Sequence, residues 1–379
     1  MIRVLQVLGS TNLGGAESRM MDIYRHIDRE RIQFDFLITE GNSGHFTPEI
    51  ESLGGHVYTV PAYRVYNHKQ YIEAVRTFFE EHKGYKAVHG HMTSTAAIYL
   101  PIAKKSGVPL TIAHARSAGV DSGIKGKVTK LLRKHLSDRC DMMLACSDLA
   151  AIAVFGEESY ADGRVKIIPN AIAPDDYRID EIARAGIRKD LQVDDKFVIG
   201  HVGRFHEAKN HGFLLESFAE FVKLRQDAVL VIVGDGALRA QIEEKIHELK
   251  LEGKVILTGN KSPVAPYYQT FDVFLFPSLF EGMPGTVVEA QAACVKSLIS
   301  DAITRQVKVT DLVEFYSLSQ TAAEWASKLY SMYGDMPVDR IWQERMADAD
   351  DIMRIMSDTD VNVNKQVEYY TSLYEEGKR

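Results

Sequence analysis

Phe271-Asp272-Val273-Phe274-Leu275-Phe276-Pro277-Ser278, followed after two residues by Glu281-Gly282-Met283-Pro284-Gly285-Thr286-Val287-Val288-Glu289-Ala290, is the stretch on which the fold turns. The first run is apolar and rich in β-formers, as a buried strand is, and Pro284 with Gly285 opens a helix-like stretch. Glu281 then sits in the turn and Glu289 in the helix's second turn. The carboxyl end of a strand and the amino end of the next helix form a crevice where unpaired backbone N–H groups and the helix dipole favour an anion such as phosphate. Met283, Pro284, Gly285, Thr286 and Val287 make up that helix start. Carboxylates beside a phosphate accept paired hydrogen bonds from vicinal hydroxyls. Taken alone, the spacing fits an exposed turn residue and a solvated helix face equally well.

A second passage repeats the pattern. Val198-Ile199-Gly200-His201-Val202 is strand-like, and Gly203-Arg204-Phe205-His206-Glu207-Ala208-Lys209-Asn210 leads to a helix over Phe213 to Phe221. Arg204 and Lys209 therefore leave the carboxyl end of another strand. A diphosphate leaving group needs its developing charge neutralised, and a forked guanidinium with a mobile ammonium does this without a metal. A surface basic pair is the plain alternative for this loop alone.

Outward from these passages the chain alternates strand-like and helical segments. The first half gives Val4 to Leu8, Phe34 to Thr39, His56 to Val60, Ala87 to His89, Leu110 to Ala113, Met142 to Cys146 and Val165 to Ile168. The second gives Phe197 to Val202, Val229 to Val233, Val255 to Thr258, Val273 to Phe276 and Leu298 to Ser300. Such alternation implies βαβ units, a parallel sheet and an α/β fold with two Rossmann-like domains. The expected division is 1–174, then 190–360, with 361–379 a terminal helical segment and the join in the polar stretch 174–195. A chain of 379 residues with 45% hydrophobic and 26% charged content suits two soluble globular domains. A net charge of −7 gives no basic footprint for nucleic acid. No apolar run approaches a membrane span, and Met1 to Leu8 reads as a first strand rather than a leader, so a cytoplasmic location is expected. Cys140, Cys146 and Cys294 match neither a zinc pattern nor a redox pair and read as small apolar residues in a reducing compartment.

Together with Gly14-Gly15-Ala16-Glu17 after the first strand, Ile168-Pro169-Asn170 at mid-chain and Gly234-Asp235-Gly236 after a third strand, these motifs resemble family 4 of the retaining glycosyltransferases, of GT-B fold, in its bacterial capsule and exopolysaccharide branch. The resemblance spans nearly the whole chain, in the family's order. It implies two domains facing across a cleft, the second holding a nucleotide-sugar donor, most simply a UDP-sugar, with no cofactor and no metal. By the resemblance Glu289 binds the ribose hydroxyls, Arg204 and Lys209 the diphosphate, and Glu281 the transferred sugar. Gly15 matches the backbone that approaches the phosphate, and Leu257 to Ser262, with Asn260 and Lys261, the loop that reads the base. His114 matches the sugar-contacting histidine, and His91 is read as structural. The implied reaction is attack on the face the diphosphate leaves, with the acceptor's proton passing to that phosphate and no enzymic base assigned. The acceptor is a polysaccharide or lipid-linked saccharide, and the last helix is expected to cross back onto the first domain.

Several features qualify this picture. Asp348-Ala349-Asp350 and Asp358-Thr359-Asp360 spell a metal-diphosphate pattern of another glycosyltransferase fold, but neither follows a strand, and a solvated helix face is the reading adopted. Residues 123–136 are basic with apolar residues at helical spacing, which fits a membrane-surface helix or an ordinary packed one. Cys294-Val295-Lys296-Ser297 replaces a Gly and Pro usual in the family, which predicts a changed turn after the helix carrying Glu289. Ala171 after Asn170, where Gly is frequent, predicts a backbone without positive φ. Met283 stands where Leu or Phe is commoner. The competing functions are a non-catalytic partner subunit, a sugar-nucleotide epimerase and an oxidoreductase. The last is disfavoured because no Gly-x-Gly-x-x-Gly follows a strand.

Overall fold

Seven strands form the first sheet: β1 (Ile2–Leu8), β2 (Ile32–Ile38), β3 (Val57–Thr59), β4 (Ala87–Gly90), β5 (Leu110–Ala115), β6 (Met142–Ala145) and β7 (Val165–Ile167). Six form the second: β8 (Phe197–Val202), β9 (Ala228–Val233), β10 (Val255–Gly259), β11 (Val273–Phe276), β12 (Ser297–Ser300) and β13 (Val313–Tyr316). The structure, a computed structural model, describes residues 1–39, 44–119 and 123–377. Its chain divides into two units, Met1–Ala171 with Val363–Arg379, and Ile172–Asn362. Residues 174–195, taken from sequence as a join, belong to the second unit as a 3-10 turn, Pro174–Tyr177, and a helix, Glu181–Asp190.

Both sheets are parallel, in the orders β3-β2-β1-β4-β5-β6-β7 and β10-β9-β8-β11-β12-β13. Each therefore reverses its winding once, between β1 and β4 and between β8 and β11, and such switch points are where doubly wound sheets bind ligands. Helices cover both faces, so β2 and β9 are buried along their whole length; β9 reads as a continuous apolar run, whereas β2 carries buried Gln33 and Asp35, which bond to Tyr24 and to Arg3 and Tyr85. Twelve of the thirteen strands coincide with the runs expected from sequence. The exception is β13, Val313-Glu314-Phe315-Tyr316, a short edge strand beside β12 whose mixed composition carries no strand signal.

Around β11 the second unit is tied by buried charge. Asp272, fully buried, takes Arg184 Nη2 at 3.0 Å and Arg188 Nη1 at 3.3 Å, both from helix Glu181–Asp190. Its Oδ2 also accepts from the Val198 amide at 2.7 Å, and its own amide donates to Val198 O at 2.8 Å. Arg345, on helix Val338–Asp358, donates to the carbonyls of Phe271 and Ala293, each at 2.6 Å. The Trp342 ring lies between Arg184 and Arg345, at 4.5 and 4.9 Å from their guanidinium carbons.

The helix Gly285–Ala292 ends in a Schellman turn, with Cys294 N bonded to Gln291 O and Val295 N to Ala290 O. Cys294 takes φ 57° there, so the left-handed turn expected to change is retained by a buried non-glycine residue. Ala171 has no positive φ, in line with its replacing Gly. Val363–Glu376 is a helix of the first unit whose Tyr370 and Tyr374 are fully buried.

Replacing Asp272 by alanine leaves buried guanidinium groups without their counter-charge, which costs about 3–5 kcal/mol. A urea titration of Asp272→Ala is expected to show the second unit's transition destabilised by that amount. Loss below about 1 kcal/mol would mean that the carboxylate is not the keystone of this network.

Candidate functional site

At the carboxyl ends of β8 and β11 the two loops singled out from sequence are pinned to one another. Leu279 N donates to Ala208 O at 2.8 Å, and Asn210 Nδ2 donates to Pro277 O at 3.2 Å. Asn210 adopts φ 55°, ψ 46°, which turns the chain from the 3-10 turn Glu207–Lys209 into the helix His211–Leu224. The consequence is an ion pair, Lys209 Nζ to Glu281 Oε1 at 2.7 Å, with both side chains largely buried and the ammonium 4.5 Å from the Phe276 ring centre. A Cβ on Gly203 would lie 3.1 Å from Lys209 Cε, so the missing side chain leaves the lysine its channel.

Gly234, at φ 141°, brings the end of β9 against the same loop. A Cβ there would stand 2.1 Å from Gly203 O, and Phe205 N donates to Asp235 O at 3.0 Å. Arg204, in the cradled loop, is exposed and has no ion pair among the described residues. Beyond β11, the helix Gly285–Ala292 begins after Pro284 without a side-chain cap; Val287 N donates to Pro284 O at 3.2 Å, and the Gly285 and Thr286 N–H groups precede it in the first turn. Glu289 is buried on this helix, with Oε2 2.8 Å from the Tyr268 hydroxyl, which is also 3.1 Å from Thr286 O. The buried hydroxyls of Ser278 and Thr286 have no hydrogen-bond partner among the described residues. Buried polar atoms left so are costly and point to a ligand. Cations, helix N–H groups, two unpartnered hydroxyls and two carboxylates at one switch point suit a phosphorylated, polyhydroxylated molecule.

The first unit has its own polar centre at the β1/β4 switch point. His89 and His91 on and after β4, His114 on β5 and Gln6 on β1 are buried together. His89 Nε2 lies 3.0 Å from His114 Nδ1, His89 Nδ1 2.6 Å from the Tyr374 hydroxyl, and His91 Nε2 3.0 Å from Gln6 Oε1. Arg116 donates through Nε to His91 Nδ1 at 3.2 Å and through Nη1 to Asn170 Oδ1 at 2.9 Å. Burial, reinforced by the Arg116 charge, drives all three imidazoles well below the usual 6.5, so they are neutral at pH 7.

The structure thus joins Lys209 with Glu281, and sets Glu289, Met283, Pro284, Gly285, Thr286 and Val287 on one strand-to-helix connection. Met283 is buried, whereas Asn260 and Lys261 are exposed just after β10. Gly15 opens the helix Gly15–His26, is exposed, and a Cβ on it would meet nothing within 4 Å. Asp348 and Asp350 lie exposed on helix Val338–Asp358, and Asp358 and Asp360 are exposed at and just past its end. Of the basic segment, Gly123–Arg133 is a helix with Lys127, Lys130 and Leu131 exposed; the side chains of residues 123–125 lie outside the described residues. Sequence reasoning missed Tyr268, which orients Glu289, and His89 with Tyr374. Nothing in their local sequence marks them, since His89 and Tyr374 meet only in the folded unit, although His89-Gly90-His91 at the end of a switch-point strand is a usable signal.

Two doubly wound sheets of this order, with a phosphate-suited switch point in the second, define the GT-B class of glycosyltransferases. Residues 14–171 match the family described as glycosyl transferase 4-like domain, and residues 184–329 that described as glycosyl transferases group 1. The chain is 35% identical over 337 residues to the putative glycosyltransferase EpsF of Bacillus subtilis, covering 86% of each chain. It is 28% identical over 230 residues, 57% of this chain and 58% of the other, to an Escherichia coli enzyme named UDP-Gal:alpha-D-GlcNAc-diphosphoundecaprenol alpha-1,3-galactosyltransferase. The crystal structure of Anabaena HepE with UDP and glucose superposes with a TM-score of 0.78 at 18% identity, covering 98% of this chain and 100% of that one, a likeness of fold. The chain belongs to glycosyltransferase family 4, with relatives in capsule and exopolysaccharide synthesis.

The neutral histidines of the first unit make its stability depend on pH. Their folded pKa values are depressed, so the unfolded chain binds more protons below about 6.5; stability is complete above that value and lost as pH falls. Three such groups remove about 4 kcal/mol between pH 7.5 and 5.5. Urea titrations at the two pH values are expected to show this loss in the first unit's transition, and a change under about 1 kcal/mol would show that the imidazoles are not held neutral.

Proposed function

We propose that this glycosyltransferase is a retaining, metal-independent enzyme that transfers a hexosyl group from a UDP-sugar to a polysaccharide precursor or lipid-linked saccharide. The observation that carries this reading is the second unit's switch point. There Lys209 pairs with Glu281, the loop that carries Lys209 and Arg204 is bonded to the one after β11, and the hydroxyls of Ser278 and Thr286 have no hydrogen-bond partner among the described residues. In this reading Arg204 and Lys209 neutralise the diphosphate, Glu289 takes the ribose hydroxyls in the orientation Tyr268 gives it, and Glu281 takes sugar hydroxyls once Lys209 turns to phosphate. Asn260 and Lys261 flank the base, and Gly15 offers a backbone amide to phosphate. Lipid-linked acceptors and α-linkage are supported by the name of the Escherichia coli relative, and a UDP donor by that name and by the HepE complex.

The reaction is written without an enzymic nucleophile. The acceptor hydroxyl oxygen bonds to the anomeric carbon on the face from which the diphosphate departs, the carbon–oxygen bond to phosphate breaks, and the hydroxyl proton passes to a phosphate oxygen as UDP leaves. Two cations make the diphosphate a good leaving group, so no metal is required. UDP release measured with EDTA present, across UDP-hexoses and a lipid-linked acceptor fraction, is expected to proceed fully. Arg204→Ala is expected to cut kcat by about 10²-fold while shifting stability by less than about 0.5 kcal/mol. Strict manganese dependence, or near wild-type transfer by Arg204→Ala, would overturn the assignment.

Among the described residues no helix is long and apolar enough to cross a membrane. A cytoplasmic enzyme that meets lipid-linked acceptors works at the inner membrane face. Helix Gly123–Arg133 suits that surface, for Leu131 is 64% exposed beside Lys127 and Lys130. Sedimentation with anionic vesicles at low salt is expected to carry the protein down and Leu131→Glu to abolish this; equal recovery with neutral vesicles would remove the basic helix from the account.

A further inference from the structure

The polar centre of the first unit has a direction. Arg116 can only donate, so its Nε, 3.2 Å from His91 Nδ1, requires a lone pair there and puts the proton of neutral His91 on Nε2. That proton is donated to Gln6 Oε1 at 3.0 Å, which fixes the amide and leaves Gln6 Nε2 to donate to the Tyr374 hydroxyl oxygen at 3.4 Å. Tyr374 is fully buried, and the remaining neighbour for its own proton is His89 Nδ1 at 2.6 Å. His89 therefore carries its proton on Nε2 and donates to His114 Nδ1 at 3.0 Å. One tautomer is left for His114, the one protonated at Nε2, and that atom is buried without a hydrogen-bond partner among the described residues. The chain runs from a permanent cation to a single unspent N–H.

We infer that this relay fixes His114 as a hydrogen-bond donor through Nε2, with His89 and Tyr374 as positioning residues that set its tautomer from the terminal helix. The atom it serves is a substrate oxygen, and its identification as a sugar hydroxyl rests on the function proposed above. A ring nitrogen that already bears a proton has no lone pair, so His114 cannot take the acceptor's proton. The relay thereby excludes the one imidazole otherwise suited to act as general base, and leaves the departing phosphate as the proton's destination. The neutral state of all three rings agrees with the scheme. The ring nitrogens of His89, His91 and His114 are close enough together to suggest a metal triad. Three of the contacts described use those nitrogens already, and a guanidinium donates into one of them, which leaves too few ligands and the wrong charge for a divalent ion.

The test is the tautomer itself. In full-length protein labelled with ¹⁵N-histidine, long-range ¹H–¹⁵N correlation is expected to show His114 neutral with its proton on Nε2 at pH 7. Tyr374→Phe keeps the ring but removes the hydroxyl, and is expected to give His114 as a mixture of tautomers with kcat/KM for the donor down roughly fivefold. A proton on Nδ1 of His114 in the wild type, or a tautomer unchanged in Tyr374→Phe, overturns the relay. Should Tyr374→Phe fail to fold, the wild-type spectrum alone decides the direction. The expected tautomers combined with full transfer by His114→Ala would uphold the relay and refute the sugar contact.

Discussion

Asp272 is the constraint on which the second unit's site depends. It stands at the amino end of β11 and is bonded to Val198 at the start of β8, so it fixes the two strands whose far ends carry the site loops. A carboxylate buried here is tolerable because it pairs with Arg184 and Arg188 at once, and the two guanidiniums share it while donating to nearby carbonyls. Arg345 closes the same region by tying the carbonyl of Phe271 to that of Ala293, the residue after the helix that carries Glu289. With the strands locked at one end, the contacts Ala208 to Leu279 and Asn210 to Pro277 lock the loops at the other. Lys209 and Glu281 meet as a result of that geometry rather than through any local preference.

Charge is arranged differently in the two units. The second gathers cations, a helix amino end and carboxylates at its switch point, in surroundings partly open to solvent, as suits a ligand that brings its own negative charge. The first gathers neutral, deeply buried imidazoles, with Arg116 as the charge that orients them. A site that stabilises a departing diphosphate needs the former; one that reads hydroxyl geometry without exchanging protons needs the latter.

Much of this was legible in the sequence because the signals were local. Strand runs followed by Gly-rich turns and helix starts marked both sheets, and the sequence placed Arg204, Lys209 and Glu281 in the loops after strands and Glu289 on the following helix, where the structure has them. What escaped was non-local. Tyr268 and Glu289 meet across the fold, and Tyr374 lies 285 positions from His89 along the chain. His91 read as structural, and it is a link in a chain of hydrogen bonds whose other members no spacing rule connects. The edge strand β13 was missed because four residues of mixed character pair only with β12. The turn after Ala293 held its left-handed shape despite losing glycine, because Val295 and Cys294 still bond back to Ala290 and Gln291.

Metal-free recognition of a uridine diphosphate is the central claim, and calorimetric titration of UDP into the full-length protein in EDTA tests it most directly. The account predicts one site per chain, with affinity reduced at least about tenfold in Glu289→Ala, the loss of one buried carboxylate's hydrogen bonds to the ligand. Absence of binding without a divalent cation, or equal affinity in the Glu289 variant, would contradict it.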